Sequence, residues 1–165
     1  MVKQSATLDS SFWINAHRVG LVPDLLQRFS LSYAPAVASE LSRSFASGRE
    51  FWRLVEAGIL IEAIPQADRV GAFGPGERGA MSVALEHGDW VLLVDDRRPL
   101  LEAQRLGLKT LCTPVLMVEL FAEGQWSLPE AIQSLAKLAA LRTVSPALLE
   151  AALAQLAVVS AQKEK

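Results

Sequence analysis

Acidic residues follow two short apolar runs in this sequence, at positions where a parallel sheet would present them to a ligand. Asp9 comes directly after Ser5-Ala6-Thr7-Leu8, and Asp95-Asp96 comes directly after Trp90-Val91-Leu92-Leu93-Val94. Apolar runs of this length predict buried strands. Ligands of open parallel sheets bind in the crevice beyond the carboxyl ends of the strands. We therefore expect Asp9 and the Asp95-Asp96 pair to face one crevice together.

Two glutamates are expected to point toward the same region from helices. Glu40 stands three residues after Val37 on a predicted short helix, at the edge of its apolar face. Glu77 lies in the first turn of another predicted helix, and Met81 and Leu85 follow it at helical spacing. Both carboxylates can therefore be aimed at the sheet instead of at bulk water.

Carboxylates that share a cleft repel one another and raise one another's pKa, so such a cluster persists only when a cation neutralises it. Ligands that are all oxygens select Mg²⁺ or Mn²⁺. Two such ions can cleave a phosphodiester by direct hydrolysis, without a histidine or serine nucleophile. The sequence holds only two histidines, which fits that chemistry. The candidate catalytic and metal-binding residues are Asp9, Glu40, Glu77, Asp95 and Asp96.

Each of these acids also has an ordinary structural explanation. Asp9 could be a turn residue at a strand end, and Glu40 could be solvated near a helix end. The helix dipole favours an acid in a first turn, whatever the chemistry of Glu77. Asp95 and Asp96 could cap the helix that follows them. Their common location favours a site, but the sequence does not choose between Asp95 and Asp96.

Strands and helices are predicted to alternate along the chain. Strand character recurs at residues 5–8, 31–34, 59–61, 90–94 and 109–112, and amphipathic helical segments lie between these runs. The capping box Ser127-Leu128-Pro129-Glu130 and the pair Ser145-Pro146 predict two further helices at the end. This pattern predicts an α/β fold with a central parallel sheet, helices on both faces and two C-terminal helices.

Length and composition indicate one globular domain over residues 1–165, with a frayed tail at 159–165. Apolar residues make up 51% of the 165 and charged residues 21%. The single cysteine, Cys112, has no partner for an internal disulfide, and no apolar run of about 18 residues predicts a membrane span. We therefore expect a cytoplasmic protein. The net charge of −2 argues against a simple polycationic surface, so an RNA substrate would need bound cations or local arginines.

Several short segments together carry a resemblance to the PIN domain family, specifically to the branch related to VapC-type toxins. They are Thr7-Leu8-Asp9-Ser10-Ser11, Ser39-Glu40-Leu41, Gly76-Glu77-Arg78-Gly79-Ala80, Leu93-Val94-Asp95-Asp96-Arg97 and Leu106-Gly107-Leu108. The resemblance implies a three-layer sandwich and a Mg²⁺- or Mn²⁺-dependent endoribonuclease. It also implies that Asp9, Glu40, Glu77 and either Asp95 or Asp96 form the metal site.

The resemblance further implies that the Ser11 hydroxyl orients the first aspartate. Next to the predicted site, Arg97-Arg98 could hold a substrate phosphate, although a surface pair at a helix entrance is the commoner explanation. Ser11, Arg97 and Arg98 are therefore the candidate substrate-binding residues. A toxin of this kind would have a small antitoxin protein as its partner and would commonly form a homodimer.

Two other functions are compatible with parts of the pattern. A degenerate PIN-like module that binds RNA or a protein would keep the fold and lose catalysis, since Glu40 and Glu77 are the less certain acids. A phospho-accepting receiver domain could open with Trp90-Val91-Leu92-Leu93-Val94-Asp95-Asp96. Such a domain needs about a hundred residues after that strand. The chain that follows Asp96 is too short for it and ends in the two predicted helices.

Overall fold

The computed structural model describes residues 2–165, and its centre is a parallel β-sheet. In this part of the chain the sheet has five strands, in the spatial order β3-β2-β1-β4-β5, and every neighbouring pair is parallel. The strands are β1 (Gln4–Leu8), β2 (Phe29–Tyr33), β3 (Ile61–Glu62), β4 (Val91–Leu93) and β5 (Lys109–Leu111).

Helices connect the strands and cover both faces of the sheet. The helices that follow β1 and β2 are α1 (Ser10–Arg18), α2 (Val22–Arg28), α3 (Pro35–Glu40) and α4 (Ala46–Glu56). Those that follow β3 and β4 are α5 (Pro75–Glu86) and α6 (Arg97–Arg105). After β5 come α7 (Thr113–Ala122), α8 (Leu128–Leu141) and α9 (Pro146–Lys163). The predicted α/β architecture is confirmed.

The central strand β1 shows why the fold needs two helical layers. Ala6, Thr7 and Leu8 are all fully buried, although successive side chains of a strand point to opposite faces. Both faces must therefore be covered. Helix α5 packs on β1 and β4, whereas α1 contacts α3, α4 and α7, and α7 packs against α8 and α9.

Two differences between the structure and the predicted elements lie near the strand ends. Residues 10–18 form a full helix where only a helix start and an apolar turn were expected, and Asp9 caps it by accepting a hydrogen bond from Phe12 N at 2.8 Å. The strand expected at 59–61 begins only at Ile61. The reason is that Ile59 N and Leu60 N donate to Leu54 O at the end of α4, at 2.9 and 3.2 Å.

The C-terminal helices begin at the predicted caps. Ser127 and Glu130 form the capping box of α8, and the Ser145 hydroxyl accepts from Leu148 N at the start of α9. Helix α9 continues to Lys163, through most of the segment that the sequence predicts to be frayed. The Lys163 ammonium donates to Phe121 O at 2.6 Å and lies over the Phe121 ring, which ties that helix end to α7. The single-domain boundary at 1–165 stays a prediction. Among residues 2–165, no helix combines the length and the apolar composition that crossing a bilayer requires.

Helix α4 holds the chain segment that follows Glu40. A Cβ atom added to Gly48 would lie 1.8 Å from Ser42 O, so only glycine allows this close approach. Two indole N–H groups bind the same region: Trp13 Nε1 donates to Ser47 O at 2.7 Å, and Trp52 Nε1 donates to Leu41 O at 2.8 Å. The end of α3, and with it Glu40, is thereby fixed against α1 and α4.

We expect Gly48→Ala to lower the free energy of unfolding by about 1–3 kcal/mol, because the added methyl group overlaps backbone atoms that cannot turn away. Chemical denaturation followed by circular dichroism measures the change. Gly88→Ala is the matched control, since nothing lies within 4 Å of its added Cβ. The control should change stability by less than about 1 kcal/mol. Equal effects of the two substitutions would contradict the proposed role of Gly48.

Candidate metal centre

The register of the sheet brings the ends of β1 and β4 together. Leu8 pairs with Leu93, and Asp9 N donates to Leu93 O at 3.1 Å, so the residues that follow both strands leave the sheet side by side. Asp96 precedes the first residue of α6, as Asp9 precedes the first residue of α1. The crevice predicted from the strand ends is therefore present at this edge.

Three carboxylates meet in this crevice. Asp9, Glu77 and Asp96 each offer one carboxylate oxygen, and these oxygens lie within 4.8 Å of one another. We call these three residues the acidic triad. Asp9 is 2% exposed, and Glu77 is half-buried. Glu77 reaches the triad from the first turn of α5, where its Oε2 accepts from Gly74 N at 3.3 Å.

The Ser11 hydroxyl links two members of the acidic triad. Its Oγ lies 3.3 and 3.2 Å from the two carboxylate oxygens of Asp9 and 3.3 Å from Asp96 Oδ2. Ser11 sits in the first turn of α1, beside the triad, because α1 starts at the residue after Asp9. The hydroxyl is thus placed to orient both aspartates.

The two residues of the Asp95-Asp96 pair have different surroundings. Asp95 is fully buried, and its carboxylate accepts from Asn15 Nδ2 at 2.7 Å, Thr113 N at 2.7 Å and Thr113 Oγ1 at 2.8 Å. Its oxygens are therefore occupied by protein donors. Asp96 is more open and belongs to the triad. This geometry favours Asp96 as the ligand and Asp95 as a positioning residue that ties β4 to α1 and α7.

Glu40 lies next to the acidic triad but is held by other groups. Its Oε1 accepts from Gly76 N at 3.0 Å, and its Oε2 accepts from the Ser10 hydroxyl. A Cβ atom on Gly76 would lie 2.5 Å from Glu40 Oε2, so this glycine leaves the space that the carboxylate fills. After burial and the interactions with Asp96, the negative charge of Glu40 is a further, smaller cause of the raised pKa of Glu77.

Burial and mutual repulsion shift the protonation of the buried acids. Burial, opposed by the bond from Phe12 N and reinforced by the charges of Asp95 and Asp96, raises the pKa of Asp9 well above its usual range. Burial and a hydrogen bond shared with Asp96 raise the pKa of Glu77. Burial also raises the pKa of Asp95 to about 6, even though three donors stabilise its charged form. The charged form of each of these three carboxylates is thus disfavoured relative to the same acid in water.

The surrounding side chains do not neutralise this charge. Within residues 2–165, no lysine, arginine or histidine forms an ion pair with any of the five candidate acids. A set of converging carboxylate oxygens without a protein cation fits Mg²⁺ or Mn²⁺, which prefer hard oxygen ligands. Asp9, Glu77 and Asp96 would hold the ion.

The predicted substrate-binding arginines lie just outside the acidic triad. Arg97 and Arg98 are the first two residues of α6, both exposed, and follow Asp96 directly. The Arg98 guanidinium lies over the ring of Phe73, 5.2 Å from its centroid. The structure therefore brings Ser11 and the triad together and places the two arginines directly after a triad residue, at the start of α6.

Sequence reasoning missed two residues that hold the site. Thr113 follows β5 at the same edge of the sheet, so the strand-end pattern that identifies Asp9 also applies to it. Asn15 stands four residues after Ser11, on the same side of α1. Neither residue is acidic, and only the fold reveals that both bind Asp95.

Comparisons with known proteins identify the family of this chain. The family model described as "DUF3368: PIN domain" matches residues 6–157. Among solved structures, the PIN domain endonuclease Utp24 is similar in fold, with a TM-score of 0.52 and 11% sequence identity over 66% of this chain and 84% of that one. A PilT N-terminus domain protein, SSO1118, from the hyperthermophilic archaeon Sulfolobus solfataricus P2, gives a TM-score of 0.41 and 17% identity over 66% of this chain and 87% of that one. No curated protein matches the sequence significantly.

We expect Asp9→Asn to raise the free energy of unfolding at neutral pH in the absence of metal, because asparagine removes a buried charge that burial and the neighbouring aspartates disfavour. Because its pKa is raised, Asp9 is protonated in a larger fraction of folded than of unfolded molecules at mildly acidic pH. Stability therefore falls as the pH rises from about 4, the unfolded pKa, through the folded pKa. Asparagine removes this loss and can still cap α1. Thermal melts from pH 4 to 8 in a chelator measure the difference.

Addition of Mn²⁺ should make the parent protein more stable than Asp9→Asn. Binding to the native state raises the melting temperature of the parent protein with increasing metal, whereas Asp9→Asn should respond little. Asp89→Asn, an exposed aspartate in the turn after α5, is the control and should respond like the parent. A melting temperature of the parent that does not depend on Mn²⁺ would contradict the metal assignment.

Proposed function

This chain belongs to the PIN domain family, and from that premise we propose that it is a divalent-metal-dependent endoribonuclease. Members of the family are generally nucleases. The observation that carries the proposal is the acidic triad of Asp9, Glu77 and Asp96, whose oxygens converge within 4.8 Å without a neighbouring protein cation. A purely structural cluster would be expected to include a lysine or arginine partner, because buried unpaired charge is costly.

Each residue of the site has a specific task in this proposal. Asp9, Glu77 and Asp96 would hold the metal, and Ser11 keeps the two aspartates oriented toward each other. Asp95 would not be a ligand; it fixes the end of β4 through Asn15 and Thr113, so that Asp96 emerges toward the crevice. Outside the triad, the guanidinium groups of Arg97 and Arg98 can bind phosphate oxygens of the substrate.

A bound Mg²⁺ or Mn²⁺ supplies an activated water and neutralises the charge that develops on the phosphodiester. The hydrolysis that we propose would use two ions, and Glu40 would be the further ligand for the second only after it releases its hydrogen bonds to Gly76 N and the Ser10 hydroxyl. Its position beside Gly76, at the start of α5, places it on the Glu77 side of the triad. No serine or histidine nucleophile is required.

The alternative functions are less well supported. A degenerate module that only binds RNA or protein would have no need for three converging carboxylates, so the free energy cost of their repulsion supports a metal-binding role. The receiver hypothesis does not fit the family match, which spans residues 6–157. It would also need β4 to be the first strand of its own domain, whereas β4 pairs with β1 in a single sheet. A test of metal-dependent cleavage separates the nuclease from the degenerate module.

The finer biological role follows only from the resemblance to VapC-type toxins. On that basis the protein would be the toxin of a toxin–antitoxin pair, with a small antitoxin protein as its partner, and it would form a homodimer in the cytoplasm. These remain predictions. The toxin role is tested by a growth assay in which this protein is induced alone or together with the protein encoded by the neighbouring gene. Growth arrest that the second protein relieves would support it.

We expect the parent protein to cleave a labelled single-stranded RNA in Mg²⁺ or Mn²⁺ and to lose this activity in a chelator. Asp96→Asn and Glu77→Gln should each lower the rate at least about 100-fold, because each removes a proposed ligand. Ser11→Ala should lower it about 10–100-fold, because the hydroxyl acts through the aspartates. Gel electrophoresis of the products over time gives the rates.

Glu150→Gln is the matched control for these substitutions, because Glu150 is an exposed acid on α9. It should cleave RNA at the parent rate. Cleavage that persists in the chelator, or that survives in Asp96→Asn, would refute the metal mechanism. Metal binding without any cleavage would favour the degenerate module.

A further inference from the structure

The connection from β3 to α5 is long and lies mostly at the surface. We call it the β3–α5 loop; it comprises residues 63–74, all of them described by the structure, and contains neither helix nor strand. Val70 is its one buried residue. Connections of this length without secondary structure are uncommon in a compact domain. Because apolar packing holds this loop at a single side chain, polar contacts must fix the rest of its path.

Helix α5 holds the β3–α5 loop with one row of polar side chains. Arg78, Ser82 and Glu86 stand four residues apart, so they lie on the same side of the helix. The Arg78 guanidinium pairs with Asp68 at 3.1 Å, and the Ser82 hydroxyl accepts from Arg69 N at 3.0 Å. Ser82 is 1% exposed, so its bond is shielded from water. The loop therefore runs back along α5 instead of projecting into solvent.

Glu86 makes several contacts with the loop at the far end of this row. One of its oxygens accepts from Gln66 N at 2.7 Å and from Ala67 N at 3.2 Å, and it pairs with the Arg69 guanidinium at 3.5 Å. Its side chain is largely buried. Glu86 is the last residue of α5, where the negative end of the helix dipole disfavours an acid. The loop N–H groups and Arg69 offset this unfavourable position, which identifies the loop as the partner of Glu86.

The β3–α5 loop ends at a donor that orients one member of the acidic triad. Gly74 N donates to Glu77 Oε2 at 3.3 Å. The Ser11 hydroxyl of α1 orients Asp9 and Asp96, whereas the N–H group that holds Glu77 belongs to the loop. A donor can orient a metal ligand only if its own segment of chain is held in place. The row of contacts along α5 holds this segment.

We propose that Ser82 and Glu86 are positioning residues of the metal centre. By holding the β3–α5 loop against α5, they keep the Gly74 N–H group where it orients the Glu77 carboxylate toward the ion. This inference rests on the proposed metal-dependent function and adds two residues that do not touch the ion. Since Glu77, Ser82 and Glu86 all belong to α5, one helix carries both the ligand and the residues that hold its donor.

Isothermal titration calorimetry with Mn²⁺ tests this role without requiring cleavage. Glu86→Ala removes the acceptor of two loop N–H groups and should weaken Mn²⁺ binding about 10-fold, at the lower end of the range for residues that orient a metal ligand. Glu86→Gln keeps an oxygen acceptor at this position and should retain most of the affinity. Ser82→Ala removes the acceptor of one N–H group, so it should weaken binding by less than Glu86→Ala.

Glu56→Ala is the matched control, because Glu56 is also the last residue of its helix and also pairs with an arginine, Arg43 at 2.9 Å. It should bind Mn²⁺ like the parent protein. Thermal melts in a chelator establish which variants are folded at the titration temperature, since a lower stability by itself leaves the affinity of the folded protein unchanged. Should Glu86→Ala not fold, Ser82→Ala decides the question.

Hydrogen exchange locates the change within the folded protein. In Glu86→Ala the amides of residues 66–74 should exchange faster than in the parent, because the loop loses its contacts at the end of α5. The amides of β1 and β4 should keep the parent rates. Parent-like exchange in residues 66–74 would show that Glu86 does not hold the loop and would overturn its role.

The outcomes separate this inference from the proposed function. Weaker Mn²⁺ binding in Glu86→Ala and Ser82→Ala supports the positioning role even if the parent cleaves no RNA, in which case only the nuclease proposal fails. Parent-like affinity in the folded variants would overturn the positioning role and leave the nuclease proposal intact. An equal loss in Glu56→Ala, or equal losses in Glu86→Gln and Glu86→Ala, would overturn it as well. A parent protein that binds no Mn²⁺ would overturn both proposals.

Discussion

The repulsion among carboxylates at the edge of the parallel sheet is the constraint on which the site depends. Asp9, Glu77 and Asp96 approach one another closely, and none of the cations in residues 2–165 pairs with them. Burial raises the pKa of Asp9 further. The fold must therefore supply rigid support for a charge arrangement that is unfavourable until a cation binds.

That support comes from neighbouring elements that each contribute one or two hydrogen bonds. Asp95 is tied to α1 and to the start of α7, so β4 ends in a fixed position and Asp96 is released toward the crevice. Glu40 is fixed by Gly76 N, and Gly48 allows α4 to hold the end of α3. Polar contacts thus connect the elements that surround the site. The positions of its carboxylates therefore depend on several strands and helices at this edge of the sheet.

The exposed Arg97 and Arg98 follow Asp96 directly, so opposite charges stand next to each other along the chain. An acidic site alone would repel a polyanion, and an arginine surface alone would bind it without chemistry. Here both charges are present, because Arg97 and Arg98 come immediately after Asp96, at the start of a helix whose dipole also attracts anions. The overall net charge of −2 conceals this local separation, so composition alone is a poor guide to the partner.

The sequence by itself determined the alternation of strands and helices, the two C-terminal caps and the placement of Asp9 and Asp95-Asp96 after strands. These features depend on local periodicity and on neighbours within a few residues. It could not choose between Asp95 and Asp96, because the direction of each side chain depends on Asn15 and Thr113, which lie 80 and 18 residues away. Tertiary structure also decided that Ser11 bridges two aspartates and that the Ile59 N–H bonds Leu54 O at the end of α4 instead of starting a strand. Such contacts join distant segments, and only the packing of the whole chain brings their atoms together.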